Sequence, residues 1–288
     1  MNAPASRKAL PPEMVEAKDA AQDLASRAGR RGFLIVRRSF VQLFDDDAHR
    51  VEAPLRTIVS RKGGGGVALR LYLGLLWLCS SEPFTSEIRA ARWATLLGLP
   101  DPEGQGKRRI AEAMTLLSKL HLVVKHDRPG NVSVIELLDE SGELNASGAA
   151  RRYARPYDAA QAAKSSRRRR QGSRRRDWYF KIPARLWTER AEIQQMSTSA
   201  LAMLLVYLSE SKPDQPDVWW STEAFKSRYG LSSTMRSRGT KELVERGLLS
   251  VHRAPVGTPG RRRSFAPEHV RNVYKPTRRL SQYMKDDN

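Results

Sequence analysis

Cysteine is nearly absent: Cys79 is the only one in 288 residues, so no internal disulfide can form and the chain fits a reducing cytoplasm. Long apolar runs are missing too. The most apolar stretch, Val67 to Cys79, is interrupted by Arg70 and falls short of the roughly 18 residues that a membrane span needs. Residues 1–31 are Ala-rich, charged and Pro-interrupted, unlike the basic start and apolar core of an export signal. The five histidines, His49, His121, His126, His252 and His269, are scattered, with no His-x-His pair and no His-Glu-x-x-His helix; zinc catalysis and histidine-pair nicking lose their signature. No Gly-x-x-x-x-Gly-Lys-Ser/Thr loop occurs, because Gly63 to Gly66 lacks the following lysine, and ATP hydrolysis is not expected. Asp45, Asp46 and Asp47 form an acidic triplet that reads as a solvated loop or helix cap in preference to a magnesium site. Nor is there a heptad repeat or a recognisable ligand pocket. These absences argue against an enzyme, a cofactor and a small-molecule substrate.

Acidic side chains are also in short supply. Lys and Arg number 51 against 31 Asp and Glu, a formal net charge of +20, which calls for a polyanionic partner. With no membrane element, that partner is expected to be nucleic acid.

Composition divides the chain. Residues 1–31 lack a sustained apolar face and read as a flexible arm, in which Met14 to Ala28 can form a short, mostly polar helix. Residues 141–177 hold almost no large apolar side chains and read as an Arg-rich linker that burial cannot order. Two domains remain, 32–140 and 178–279, followed by a tail, 280–288.

The two domains are diverged copies of one pattern. Each begins with a strand-like segment, Phe33-Leu34-Ile35-Val36 or Tyr179-Phe180-Lys181-Ile182. A helix apolar around most of its circumference follows, Val67 to Ser80 or Ser199 to Ser209, as befits a central core helix. A shorter helix comes next, Arg89 to Leu97 closed by Gly98, or Thr222 to Tyr229 capped by Ser221 and closed by Gly230. The third element starts at Ile110 or Arg236 and aligns Leu117 with Leu243 and His121 with Gly247. Each copy then returns through a pair of strands, Leu122 to Lys125 and Val132 to Leu138 around the turn Asp127-Arg128-Pro129-Gly130-Asn131 in the first. In the second, Leu248 to Arg253 leads into a loop holding Gly257, Pro259 and Gly260.

A strand, three helices with a glycine turn between the second and third, and a β-hairpin resemble the winged helix-turn-helix module of DNA-binding proteins. The tail Leu243-Val-Glu-Arg-Gly-Leu-Leu249 carries the resemblance best; His121 in place of Gly247 departs from it, as do Arg236 and Thr240 where the first copy has Ile110 and Met114. The expected fold is therefore α+β, mainly α: two winged-helix domains joined by a basic linker. Two such modules in a strongly basic chain are similar to plasmid replication initiators that bind origin repeats. The resemblance implies a cytoplasmic, nucleoid- or plasmid-associated protein whose partner is double-stranded DNA, at a repeated or composite site. A transcriptional repressor, or a partition or nucleoid protein coating DNA, would use the same chemistry, and homodimerisation is compatible with any of them.

Helical geometry nominates the contacts. With Ile110, Ala113, Met114 and Leu117 inward, the opposite face carries Arg108, Ala111, Glu112, Thr115 and Lys119, next to Lys107 and Arg109. The second copy presents Thr234, Ser237, Arg238, Lys241 and Glu245, next to Ser233. Arg can bridge guanine O6 and N7, while Ser and Thr reach phosphates or base edges; Arg108, Arg238 and Lys241 are the expected base readers. Lys125, His126, Arg128 and Asn131 would meet the backbone from the first wing, and Arg253, Arg261, Arg262 and Arg263 from the second. Arg167, Arg168, Arg169, Arg170, Arg174, Arg175 and Arg176 would condense on phosphates and add affinity without specificity. Trp219 and Trp220 could stack on unpaired bases, although their place before a capped helix favours core packing or a small sheet.

Overall fold

The computed structural model describes residues 9–27, 32–46, 49–61, 63–79, 81–128, 133–158, 178–212, 214–255 and 270–285. The fold is α+β and mainly α, with small antiparallel sheets. Helix α1 (Pro12–Arg27) precedes a first unit of β1 (Phe33–Arg37), β2 (Phe44–Asp46), β3 (His49–Val51), α2 (Pro54–Ser60), α3 (Gly65–Leu78), β4 (Thr85–Ser86), α4 (Ala90–Leu96), α5 (Lys107–Lys119), β5 (Val123–His126) and β6 (Val134–Leu137). The second unit comprises β7 (Tyr179–Pro183), α6 (Arg185–Thr188), α7 (Glu192–Gln195), α8 (Thr198–Glu210), β8 (Val218–Trp219), α9 (Thr222–Tyr229), α10 (Ser233–Glu245), β9 (Leu249–Pro255), β10 (Val270–Pro276) and α11 (Arg278–Lys285).

The repeat is present in three dimensions. Each unit places a core helix, α3 or α8, ahead of a short strand, two further helices and a two-strand return, and the strand orders β4-β6-β5 and β8-β10-β9 are the same. Leu117 and Leu243 are both fully buried. Backbone conformation follows the alignment as well. Gly98 and Gly230 both close their helices at φ 63°, and Gly247 at φ 64° is matched by His121 at φ 55°. A side chain in that left-handed region is strained by about 1–2 kcal/mol, so His121 occupies a position that its counterpart fills with glycine.

The units are not beads on a string. Strand β1 pairs antiparallel with β7, Phe33 opposite Pro183, Ile35 opposite Lys181 and Arg37 opposite Tyr179. Because the repeat itself aligns Phe33 with Tyr179, this register is its own mirror about the Ile35–Lys181 pair. The strands meet as two copies do across an isologous two-fold interface. Leu34 and Val36 of β1 and Phe180 and Ile182 of β7 point inward, and one apolar core runs through both units. Trp77 of α3 stacks on Trp187 of α6 at 6.0 Å between ring centroids. Polar contacts reinforce the seam: the Leu43 amide donates to the Arg228 carbonyl at 2.7 Å, Gln42 to Glu210 at 3.0 Å, and Arg70 to the Met196 carbonyl at 2.9 Å.

Three expectations need correction. The arm expected at residues 1–31 is, over Pro12–Arg27, a docked helix: Ala17, Ala20, Ala21 and Leu24 are buried, and Gln22 donates to the Thr188 carbonyl of the other unit at 3.1 Å. The linker expected at 141–177 begins later, since Ser141 and Tyr153 are buried and Leu138 bridges to Arg152; residues 159–177 lie outside the described residues. The tail expected from residue 280 starts inside α11, where Leu280 and Tyr283 are buried. Cys79 is a core residue, its thiol pushed up to about 12 by burial. Among the described residues no helix is long and apolar enough to cross a membrane.

A buried ion pair sits at the end of β1. The Arg37 amide donates to Glu140 Oε2 at 2.7 Å, its Nη1 to Oε1 at 3.1 Å, and its Nη2 to the Ala154 carbonyl. The guanidinium lies 5.3 Å from the Tyr153 ring centroid. Burial pushes the Glu140 carboxyl up to about 7 although Arg37 opposes the shift. With its folded pKa above the ordinary value of 4.5, this group contributes stability that is fully present below about pH 4.5 and is lost as pH rises through about 7.

Arg37→Met should cost about 3–5 kcal/mol, because it strands a buried carboxyl. The deficit against the unsubstituted chain should grow from about pH 6 to about pH 9, as Glu140 can no longer ionise cheaply; thermal melts showing a pH-independent deficit would contradict the pairing. His121→Gly should stabilise by about 0.5–1 kcal/mol in urea titration, the relief of strain less the entropy of glycine.

Candidate nucleic-acid interface

Each unit exposes one face of its third helix. Ahead of α5, Asp101 adopts φ 48° and accepts from the Gly104 and Gln105 amides at 3.1 and 2.9 Å, which anchors the helix entrance. Ile110, Ala113, Met114, Leu116 and Leu117 are buried, while Lys107, Arg108, Arg109, Ala111, Glu112, Thr115 and Lys119 are exposed. In α10, Ser232 caps the first turn, its hydroxyl accepting from the Met235 amide at 3.2 Å. Ser233, Thr234, Ser237, Arg238, Lys241, Val244 and Glu245 are exposed, and Gly239 and Leu243 are buried. Both exposed faces match those expected from spacing.

The departure at Arg236 has a physical account. Where α5 buries Ile110, α10 holds the Arg236 guanidinium among three rings, 4.9 Å from Phe225, 5.6 Å from Tyr274 and 5.9 Å from Trp220. It donates to Tyr274 Oη at 3.0 Å and to the Trp220 carbonyl at 3.2 Å. The arginine thus ties α10 to α9 and to the sheet by cation–π contacts and charge-assisted hydrogen bonds. On its other side, α10 approaches α8 so closely that a Cβ at Gly239 would lie 2.2 Å from the Ser199 carbonyl oxygen. Only glycine permits that crossing.

Several of the exposed cations are held by nearby carboxylates. Arg108 meets Glu112 at 3.3 Å, Lys241 meets Glu245 at 3.8 Å, and Lys107 meets Glu103. In the first return, Lys125 meets Asp127 at 2.6 Å, Arg128 meets Glu87 at 2.8 Å and His126 meets Glu136 at 2.8 Å. The hydrogen bond from Lys125 lowers the Asp127 pKa. Arg253 is exposed on β9. Asn131, Arg167 to Arg170, Arg174 to Arg176 and Arg261 to Arg263 lie outside the described residues. Asp45 and Asp46 belong to β2, and among the described residues no group of three potential ligands could hold a metal.

A groove of about 1090 Å³ runs between α9, α10 and the β9–β10 pair, lined by Lys226, Ser233, Ser237, Lys241, Val244 and Asn272 among others. The matching hollow of the first unit, beside Ala111, Met114, Thr115, Ser118, Lys119 and Lys125, holds about 440 Å³. Lys226, Val244 and Asn272 were not nominated from sequence. Lys226 follows Thr222 by one helical turn, a spacing that could have placed it; Asn272 needed the register of β10 on β9.

Both third helices act on one short segment, Met196 and Ser197. Arg70, which donates to the Met196 carbonyl, is lowered to about 10 by burial and by the charge of Arg109 on α5. The Ser197 amide donates to Glu242 on α10 at 3.0 Å. Comparison with family models, characterised proteins and solved structures finds no match for this chain.

Arg236→Ala should destabilise the second unit by about 2–4 kcal/mol, because it removes the cation–π stacking and two hydrogen bonds of a charged donor. Urea denaturation followed by tryptophan fluorescence reads the change, and a loss below about 0.5 kcal/mol would deny the ring cage any anchoring role.

Proposed function

We propose that this chain is a non-enzymatic, sequence-specific double-stranded DNA-binding protein made of two winged-helix units, α5 and α10 being the helices that enter the major groove. One observation carries the reading: two units of the same strand order, joined through the antiparallel β1–β7 pair, each turn outward a helix face rich in cations and small hydroxyl residues. The formal charge of +20 supplies the affinity for phosphate. Arg238 and Lys241 suit guanine, Ser237 and Thr234 suit phosphate or base edges, and the exposed Val244 suits a thymine methyl. Lys125 and Arg128 would exchange their carboxylate partners for backbone phosphates.

The faces of α5 and α10 are unlike, so the favoured target is a composite site with two different halves, read by one chain. Two unlike modules in one chain favour a plasmid or mobile-element replication initiator acting on origin repeats in the cytoplasm. A transcriptional repressor would use the same contacts at a promoter. Footprinting on the DNA flanking the gene separates them: protected tandem repeats support initiation, and one protected site over a promoter supports repression.

Arg238→Ala and Lys241→Ala should each weaken specific binding about tenfold and relax preference at one or two base pairs. Alanine at Arg167 to Arg170 should weaken specific and non-specific duplexes alike and flatten the salt dependence, by roughly one unit of slope for each phosphate no longer neutralised. Titrations at several salt concentrations decide between these patterns. Equal loss on every sequence for Arg238→Ala would remove α10 from base reading.

A further inference from the structure

Outside the helix faces, three exposed aromatic side chains among the described residues lie on or beside the ribbon that joins the two units, and a fourth, Trp219, is on β8. Tyr157 is 57% exposed, Trp178 52% and Tyr179 37%. Tyr179 and Lys181 are exposed on β7, and from β1 the half-buried Phe33 and Ile35 and the buried Arg37 face the same way. Residues 153–158 lie along the Phe33 end and leave a mostly apolar cleft of about 430 Å³ against Phe33, Ile35 and Leu76, with Tyr157 and Arg155 on its wall.

Cations interleave these rings. Lys181 Nζ stands 4.0 Å from the Phe33 ring centroid, and the Arg38 guanidinium 5.3 Å from that of Trp178. Arg151, Arg152 and Arg155 are exposed just before the cleft, Arg155 paired with Asp158 at 2.7 Å. Burying large rings is the ordinary outcome of folding, and Trp77, Trp93 and Trp187 follow it in this chain. Exposed and half-buried rings on and beside a two-stranded ribbon, with Lys181 against Phe33, Arg38 against Trp178 and Arg155 near Tyr157, have the composition of a surface that stacks unpaired bases while cations track the phosphates. A duplex offers no such base faces, because its bases are stacked on one another.

We infer that the β1–β7 ribbon, with Phe33 and Tyr179 on its outer face, Tyr157 beside it and Trp178 at its Arg37 end as stacking rings, and Arg38 and Lys181 as phosphate partners, is a binding site for single-stranded nucleic acid. It is distinct from the α5 and α10 faces and does not depend on them. A chain that engages duplex through those helices would hold an opened strand on this ribbon.

Full-length protein titrated with a fluorescein-labelled oligothymidylate, and with a strand of the same length built of abasic spacers, tests the site. The oligothymidylate should quench tryptophan fluorescence and bind at least tenfold more tightly than the abasic strand, whose charge is the same. Trp178→Ala, and Tyr157→Ala combined with Tyr179→Ala, should each weaken oligothymidylate binding roughly tenfold. Trp178→Phe, which keeps a stacking ring, should restore most of it. Duplex binding by these variants should stay within about twofold, whereas Arg238→Ala should lower duplex binding and leave the single strand unaffected. Equal binding of abasic and thymidylate strands, or aromatic variants that bind thymidylate normally, would overturn the site. So would light scattering showing that Trp178→Ala converts a dimer to a monomer, because the rings would then be an interface between copies. Absence of duplex binding alone would sink the duplex reading and leave this one standing.

Discussion

The pairing of β1 with β7 is the constraint on which the rest of the molecule depends. Its register, symmetric about Ile35 and Lys181, brings two diverged copies together as if they were protomers of an isologous dimer, and the core continues across the seam through Leu34, Val36, Phe180, Ile182, Trp77 and Trp187. Fully burying side chains of this size contributes about 1.5–3 kcal/mol each, far more than the hydrogen bonds of one short ribbon. Two modules on a loose tether would gain only a raised effective concentration. Two modules fixed to a shared core carry their exposed helices at a set separation, and binding then need not freeze their relative motion. Helix α1 adds to this rigidity, since it packs on α4 of one unit and reaches Thr188 of the other.

Symmetry at the seam is matched by divergence away from it. The first unit fixes its third helix with aliphatic contacts at Ile110 and Met114, and the second with Arg236 among aromatic rings and a glycine crossing at Gly239. An arginine held this way keeps its charge close to the exposed face of α10 without being part of it. Met114 fills the space beside α5, whereas Thr240 leaves α10 beside a wider groove. The two faces are thus positioned with comparable definition but offer different shapes.

Much of the architecture was legible because the copies check one another. Aligning Leu117 with Leu243 also aligned His121 with Gly247, and Gly98 matched Gly230 once the longer turn of the first copy, Pro100 to Gly106, is allowed for; all four turn residues adopt the left-handed conformation. The third-helix faces followed from periodicity. What escaped did so for identifiable reasons. The buried side of α1 is made mostly of Ala17, Ala20 and Ala21, residues too small to mark an apolar stripe. Helix α11 buries just Leu280 and Tyr283, too brief a pattern to separate from a tail. Arg37 and Glu140 are charged, and charged residues are ordinarily read as solvent-facing; their burial exists only because each supplies the other's partner across about a hundred residues. The β1–β7 pairing is likewise long-range, and strand edges carry no local signal of the edge they will meet.

The carboxylates on the exposed helices bear on how such a basic chain stays folded and selective. Glu112 beside Arg108 and Glu245 beside Lys241 sit one helical turn away from the cations they meet. Exposed pairs of this kind contribute no more than about 1 kcal/mol, so a phosphate or a guanine edge can displace them at little cost. While unbound, they relieve repulsion among the clustered cations. In the proposed complex the same carboxylates would stand close to the duplex, tolerated where a cytosine amino group can donate to them and repelled where a phosphate or a carbonyl edge approaches. A surface of cations alone would grip any duplex; interspersed glutamates would penalise wrong registers, and discrimination would then arise from that penalty as much as from the contacts that attract.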